Sequence, residues 1–195
     1  MDLVNVAHVA GRAFTSTLSR EEQRSAGQYM TPPDIARFMA RRLVAGVRHW
    51  HVRVLEPAAG AGILAAAVIE ALLDSPGDDK PQRIDLLLYE LDPRLLPSLT
   101  ALCERMAEAC RDAGVRFDWK IEQGDFLMSD LAITGQPVEG LLTISNPPFL
   151  KLNKARDPRA RAYATASRIC GMSPAVTSVS NSRLRLMIFA PRRVA

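Results

Sequence analysis

Along the chain the apolar positions change period several times, and each change marks a boundary between predicted elements. Residues 52–55 (Val-Arg-Val-Leu) form a short apolar run that predicts a strand, followed by a loop of small residues, 56–62, and a helix over 63–73. A polar stretch, 75–82, separates this unit from a second strand predicted over 84–89 and a long helix over 94–113. Val115, Phe117, Trp119 and Ile121 then alternate as in a half-buried strand, and residues 141–144 (Leu-Leu-Thr-Ile) read as a buried one. Pro147 and Pro148 end that last run, because proline can continue neither a ladder nor a helix. Nearer the start, Ser19-Arg20-Glu21-Glu22 matches a capping box and predicts a short helix to about residue 25. Asp34 opens another helix, with Ile35, Phe38, Met39 and Leu43 expected on one buried face. Residues 1–18 suggest no element. Strands alternating with helices predict the α/β class, with an open parallel sheet covered by helices on both faces.

In such a sheet ligands bind at the carboxyl edge of the strands. Four predicted strands run out into Glu56, Glu90, Asp125 and Asn146, so polar acceptors converge on one edge. Each of these residues alone could equally be a helix cap or part of a turn. Gly60 and Gly62 in the first loop would let a ligand approach the backbone, with Ala58, Ala59 and Ala61 keeping side chains clear, although a Gly-x-Gly after a strand also serves as an ordinary tight turn. Glu90 offers two oxygens to a pair of vicinal hydroxyls, with Asp92 as the cap of the following helix. Asn146-Pro147-Pro148-Phe149 places an amide and an aromatic ring on a rigid turn at the end of the fourth strand.

Composition narrows the picture. With 48% hydrophobic and 24% charged residues the chain falls in the soluble globular class, and no apolar run approaches the roughly 18 residues of a membrane span. No targeting signal is evident at the start, so a cytoplasmic location is the default expectation. Cys103, Cys110 and Cys170 lack paired metal-site spacing and read as reduced packing residues; His8, His49 and His51 show no ligand spacing, so no metal is expected. The formal charge of +4 is unevenly spread: residues 151–195 hold ten Lys/Arg against one acid, which leaves 15 bases and 20 acids in the preceding part. A basic end attracts a polyanion such as nucleic acid, or is simply solvated.

The ordered motifs resemble the adenine-N6 DNA methyltransferases of restriction-modification systems, in the group whose cofactor motifs precede the catalytic one. The resemblance spans about residues 18–161: Gly27-Gln28-Tyr29-Met30-Thr31-Pro32 is similar to the N-terminal cofactor motif and residues 55–62 to the glycine-rich motif. Residues 89–93, 124–126 and 145–149 are similar to the next three motifs. The Asn-Pro-Pro-Phe motif alone would also fit methyltransferases of protein glutamine or of RNA; the Gly-Gln-Tyr-x-Thr-Pro segment favours the DNA group.

The resemblance implies a Rossmann-like S-adenosylmethionine-dependent methyltransferase sheet, incomplete on its C-terminal side. It further implies a cofactor site of Tyr29, Thr31, Glu56, Pro57, Ala58, Gly60, Gly62, Glu90, Asp125 and Phe126, with Glu90 on the ribose and Asp125 and Phe126 on the adenine ring. The catalytic set would be Asn146, Pro147, Pro148 and Phe149, and Lys151, Lys154, Arg156, Arg159 and Arg161 would contact DNA. A cytosine-C5 mechanism is excluded, because it needs a nucleophilic Cys beside a Pro on the catalytic loop. The expected division is a helical segment (1–26), a partial catalytic domain (27–165) and a basic tail (166–195). Members of the family continue through further strands and a target-recognition domain, so truncation near residue 165 or a complementing subunit is expected. An inactive remnant that binds S-adenosylmethionine is the alternative function. The strand at 141–144 would then have an uncovered flank unless the apolar run 184–190 folds against it.

Overall fold

The computed structural model describes residues 2–26, 30–126, 129, 140–146, 180–181 and 184–188. The helices are α1 (Leu3–Ser16), α2 (Arg20–Ala26), α3 (Pro33–Val44), α4 (Ile63–Leu73) and α5 (Leu96–Asp112). The strands are β1 (His51–Glu56), β2 (Arg83–Glu90), β3 (Arg116–Gln123), β4 (Leu141–Ser145), β5 (Ser180–Asn181) and β6 (Leu184–Ile188). They form one sheet in the order β3-β2-β1-β4-β6-β5, parallel except for the β5–β6 pair.

Handedness distributes the helices. The path β1→β2→β3 steps in one direction, so right-handed crossovers put α4 and α5 on the same face. The return to β4 reverses that direction, and most of the connection lies outside the described residues. Helices α1, α3, α4 and α5 pack together. Register then sorts the strand residues: Val52, Val54 and Glu56 of β1 stand beside Ile84, Leu86 and Leu88 of β2, all buried under those helices. Glu56 thus ends an otherwise apolar row, and Glu90 ends the neighbouring one.

At the centre is α4, whose Ile63-Leu64-Ala65-Ala66-Ala67-Val68-Ile69 run is buried throughout. A helix apolar on nearly every side needs partners all round, and β1, α1, α3 and α5 supply them. Helix α1 is the element the sequence does not reveal. Its buried positions, Leu3, Val4, Ala7 and Gly11, form a narrow stripe of partly small residues, and Val9 is exposed. Its start is capped by Asp2, which accepts from the Asn5 N–H at 2.8 Å, and by the distant Glu70, which accepts from the Val4 N–H at 3.1 Å. The capping box of α2 is complete: Glu22 accepts from the Ser19 N–H at 2.7 Å and the Ser19 hydroxyl from the Glu22 N–H at 3.2 Å.

Helix α3 corrects one expectation. Its buried face is Ala36, Met39, Ala40 and Leu43, while Phe38 is 63% exposed. Two alanines allow α3 to approach α4 closely, and that rotation turns the large ring outward. On the far side of β4, β6 pairs in parallel over Leu141–Ser145, so of the two arrangements foreseen for the apolar run at 184–190 the folded-back one is present. Cys103 and Cys110 are buried in α5, and burial pushes both thiols up to about 12, which keeps them protonated. Cys170 lies outside the described residues. Among the described residues no helix is long and apolar enough to cross a membrane, and no cluster of His, Cys, Asp and Glu could hold a metal ion.

Candidate functional site

Parallel pairing places the carboxyl ends of β1, β2, β3 and β4 along one edge, and the strand order reverses between β1 and β4. In open α/β sheets the crevice at such a reversal is where ligands bind. Glu56, the loop 57–62, Glu90, Asp125, Phe126 and Asn146 all sit at that edge. Pro147, Pro148, Phe149, Lys151, Lys154, Arg156, Arg159, Arg161 and Tyr29 lie outside the described residues.

The loop after β1 is held by a closed set of hydrogen bonds. The Ala59 N–H donates to the Tyr89 carbonyl at 2.9 Å, the Gly60 N–H to Glu90 Oε2 at 2.6 Å, and the Gly62 N–H to the Ala59 carbonyl at 2.7 Å. Gly60 and Gly62 both have positive φ, 56° and 78°, a conformation in which a Cβ is strained. They differ in surroundings. A Cβ on Gly60 would meet nothing within 4 Å, whereas one on Gly62 would come within 2.7 Å of both Leu99 and Leu102. Gly60 therefore lies at an open surface where a ligand can approach the backbone, and Gly62 is required for packing α4 against α5. The sequence reading assigns Ala58, Ala59 and Ala61 a common role in keeping the loop clear. In the structure Ala59 and Ala61 are buried in the core and Ala58 is only half-buried. Small size at 61 serves α1: a Cβ on Gly11 would lie 3.2 Å from that of Ala61 and 3.1 Å from Met30 Sδ.

The two glutamates at the strand ends act differently. Glu56 is 1% exposed and turned inward, where its Oε2 accepts from the Ala65 N–H at 2.9 Å and so caps α4 from below. Burial, reinforced by nearby Glu90, pushes its carboxyl well above the ordinary carboxylate range. Glu90 bridges two backbone segments, with Gly60 N–H on one oxygen and Asp92 N–H on the other at 2.7 Å. Its carboxyl is also raised by burial, against the opposing pull of those donors. Each oxygen keeps a second lone-pair direction for a ligand hydroxyl. Asp92 caps the turn before α5, accepting from the Arg94 N–H at 3.0 Å. Phe126 stands edge-on to Tyr89, with ring centroids 5.2 Å apart, which makes Tyr89 the support of an aromatic wall.

Across the crevice, Asn146 follows β4 directly. Its Nδ2 donates to Thr31 Oγ1 at 3.0 Å, and its Oδ1 is buried with no hydrogen-bond partner among the described residues. A buried acceptor left unpaired costs about 1–3 kcal/mol, so this oxygen is a candidate to receive a hydrogen bond from a ligand. Thr31 itself is 5% exposed, immediately before the two prolines that start α3. Sequence reasoning places Thr31 and Asn146 in one site, but their direct contact, across 115 positions, has no local signal. The same holds for Gly11 and Tyr89, whose positions are marked only by a glycine inside an unassigned stretch and by an aromatic residue ending a strand.

Residues 7–173 match the protein family described as N-6 DNA Methylase. Among solved structures, the type IIG restriction endonuclease BpuSI is similar, with 14% identity, a TM-score of 0.53 and coverage of 85% of this chain and 18% of that one. The SCL7 structure from Oryza sativa aligns with 16% identity and a TM-score of 0.48, over 73% of this chain and 38% of that one. The chain thus spans less than half the length of either structure.

Proposed function

Because the chain belongs to the N-6 DNA methylase family, we propose that it transfers a methyl group from S-adenosylmethionine to the N6 amine of adenine in DNA, within a restriction-modification system. The observation that carries this reading is Asn146 Oδ1, a buried acceptor unpartnered among the described residues, at the carboxyl edge beside the switch point of a methyltransferase sheet. The site suits the cofactor in its residues: Gly60 leaves open space over the loop, Glu90 retains lone pairs for ribose hydroxyls, and Phe126 offers a braced ring for an adenine. When bound, S-adenosylmethionine would supply an electrophilic methyl carbon: as the amine nitrogen bonds to it the sulfur–carbon bond would break to release a neutral thioether, and the methylated nitrogen would shed one proton to solvent.

An exocyclic adenine amine is a weak nucleophile, since its lone pair is delocalised into the ring. Asn146 Oδ1 accepting one amine hydrogen, with the Pro147 carbonyl accepting the other, would draw the nitrogen toward a tetrahedral shape and localise that pair. Fixed acceptors cost no reorganisation at the moment of reaction and so lower the barrier. Phe149 would stack on a base flipped out of the duplex, a contact worth about 1–3 kcal/mol. Lys151, Lys154, Arg156, Arg159 and Arg161 would supply phosphate contacts, which give affinity without sequence preference and weaken with salt. A further domain or subunit would then provide target recognition.

Incubation with tritiated S-adenosylmethionine and plasmid DNA, RNA or a protein mixture tests the proposal. Label in DNA is expected. Label in RNA or protein would reassign the substrate, and cofactor binding with label in none would make this a binding module.

A further inference from the structure

We infer that Thr31 is a positioning residue for Asn146: its hydroxyl oxygen accepts from Nδ2 and so anchors the amide with Oδ1 toward the substrate amine. The inference rests on the reading above, and it gives Thr31 a task other than the cofactor contact expected from sequence.

An asparagine amide has an acceptor end and a donor end of nearly equal size, and rotation by half a turn exchanges them. Catalysis by hydrogen-bond acceptance needs Oδ1 toward the amine. With the amide reversed, its two N–H donors would meet the amine's own N–H donors. In the structure the amide stands in the productive orientation: Thr31 Oγ1 takes Nδ2 at 3.0 Å and Oδ1 is left buried with no partner among the described residues. Thr31 is well placed to hold this orientation. It is buried, Pro32 follows in an extended conformation and Pro33 begins α3, and α3 in turn packs on β4, the strand that carries Asn146. Both partners are thereby attached to elements that contact each other, so the hydroxyl cannot drift from the amide without moving a helix.

The test uses the full chain and the pair Thr31→Val and Thr31→Ser. Valine keeps the shape and removes the acceptor; serine keeps the acceptor. The expected result is that T31V lowers kcat at saturating DNA and S-adenosylmethionine by about tenfold, the effect of one lost neutral hydrogen bond. Its dissociation constant for S-adenosylmethionine, from titration calorimetry, should change by less than about twofold, and T31S should restore kcat to within about twofold of wild type. Weakened cofactor binding with kcat unchanged would overturn the inference and return Thr31 to the cofactor site. Failure of T31S to restore kcat would overturn it too, since the acceptor would then be irrelevant. A second readout does not depend on turnover: in the isotope-labelled wild-type chain the Asn146 side-chain NH2, identified by its loss in N146D, should show a nuclear Overhauser contact to the Thr31 methyl group. Absence of that contact would contradict the inference even in an active enzyme. If wild type methylates no DNA, the functional proposal fails while this contact still decides whether Thr31 orients the amide.

Discussion

The two sides of the crevice are built on opposite principles. On the β1–β2 side the acceptors already hold backbone donors: Glu56 the Ala65 N–H, Glu90 the N–H groups of Gly60 and Asp92, and the Tyr89 carbonyl the Ala59 N–H. On the β4 side Asn146 Nδ2 donates to Thr31, and among the described residues Oδ1 is left unsatisfied. The first arrangement is a cradle held together by the chain's own hydrogen bonds. The second holds an unmet hydrogen-bonding demand that a substrate can fill. Binding and transfer are therefore expected to be separable by mutation, and each variant below should disturb one side more than the other.

The largest effect should come from Asn146→Ala. Loss of a preorganised acceptor predicts a fall in transfer of about 10²–10³-fold, with S-adenosylmethionine affinity nearly unchanged by equilibrium dialysis. A parallel loss of affinity would show that the two sides are not separable. Next in size are the loop glycines. Gly62→Ala combines a left-handed backbone with overlap on Leu99 and Leu102, and should destabilise the fold by about 2–4 kcal/mol in urea titrations. Gly60→Ala faces open space and should cost only the backbone strain of about 1–2 kcal/mol while obstructing the cofactor. Equal destabilisation by the two would refute the division between a packing glycine and a ligand-facing one.

Glu90→Ala should weaken S-adenosylmethionine binding by about 1.5–3 kcal/mol, as for loss of a charged hydrogen-bond partner. Titration calorimetry giving unchanged affinity would remove Glu90 from the ribose. The smallest effect concerns pH. The folded-state pKa of Glu56 is raised, so the folded chain holds a proton that the unfolded chain releases first. The stability tied to that proton is present below the ordinary carboxylate range and is lost as pH rises through the raised value. Glu56→Gln retains an acceptor for the Ala65 N–H and removes the titration. Its stability relative to wild type should therefore increase as pH rises above the ordinary carboxylate range in urea midpoints. A pH-independent difference would mean that Glu56 does not carry the buried proton.

The difference between the two sides also explains what could be read from sequence. The cradle is local: β1, its glycine loop, α4 and the Glu90 turn follow one another in the chain, and their periodicity and loop chemistry place them to within a residue or two. The capping box of α2 was legible for the same reason. Helix α1 was not, because its buried stripe includes Ala7 and Gly11, and one of its caps, Glu70, lies 66 residues away. Phe38 was put on the wrong face because hydrophobicity ranks a phenylalanine above Ala36 and Ala40, whereas close helix packing favours the small residues. Asn146 could be found from its proline turn. The role of Thr31 toward it depends on a contact that only the folded sheet creates.

The central claim is that Asn146 serves an adenine amine, and the most direct measurement is the identity of the methylated base. DNA incubated with the chain and S-adenosylmethionine would be digested to nucleosides and analysed by mass spectrometry. N6-methyladenine from the wild-type reaction, lowered about 10²–10³-fold with N146A, is the predicted result; a methyl group on another base, or equal N6-methyladenine from N146A, would contradict the account.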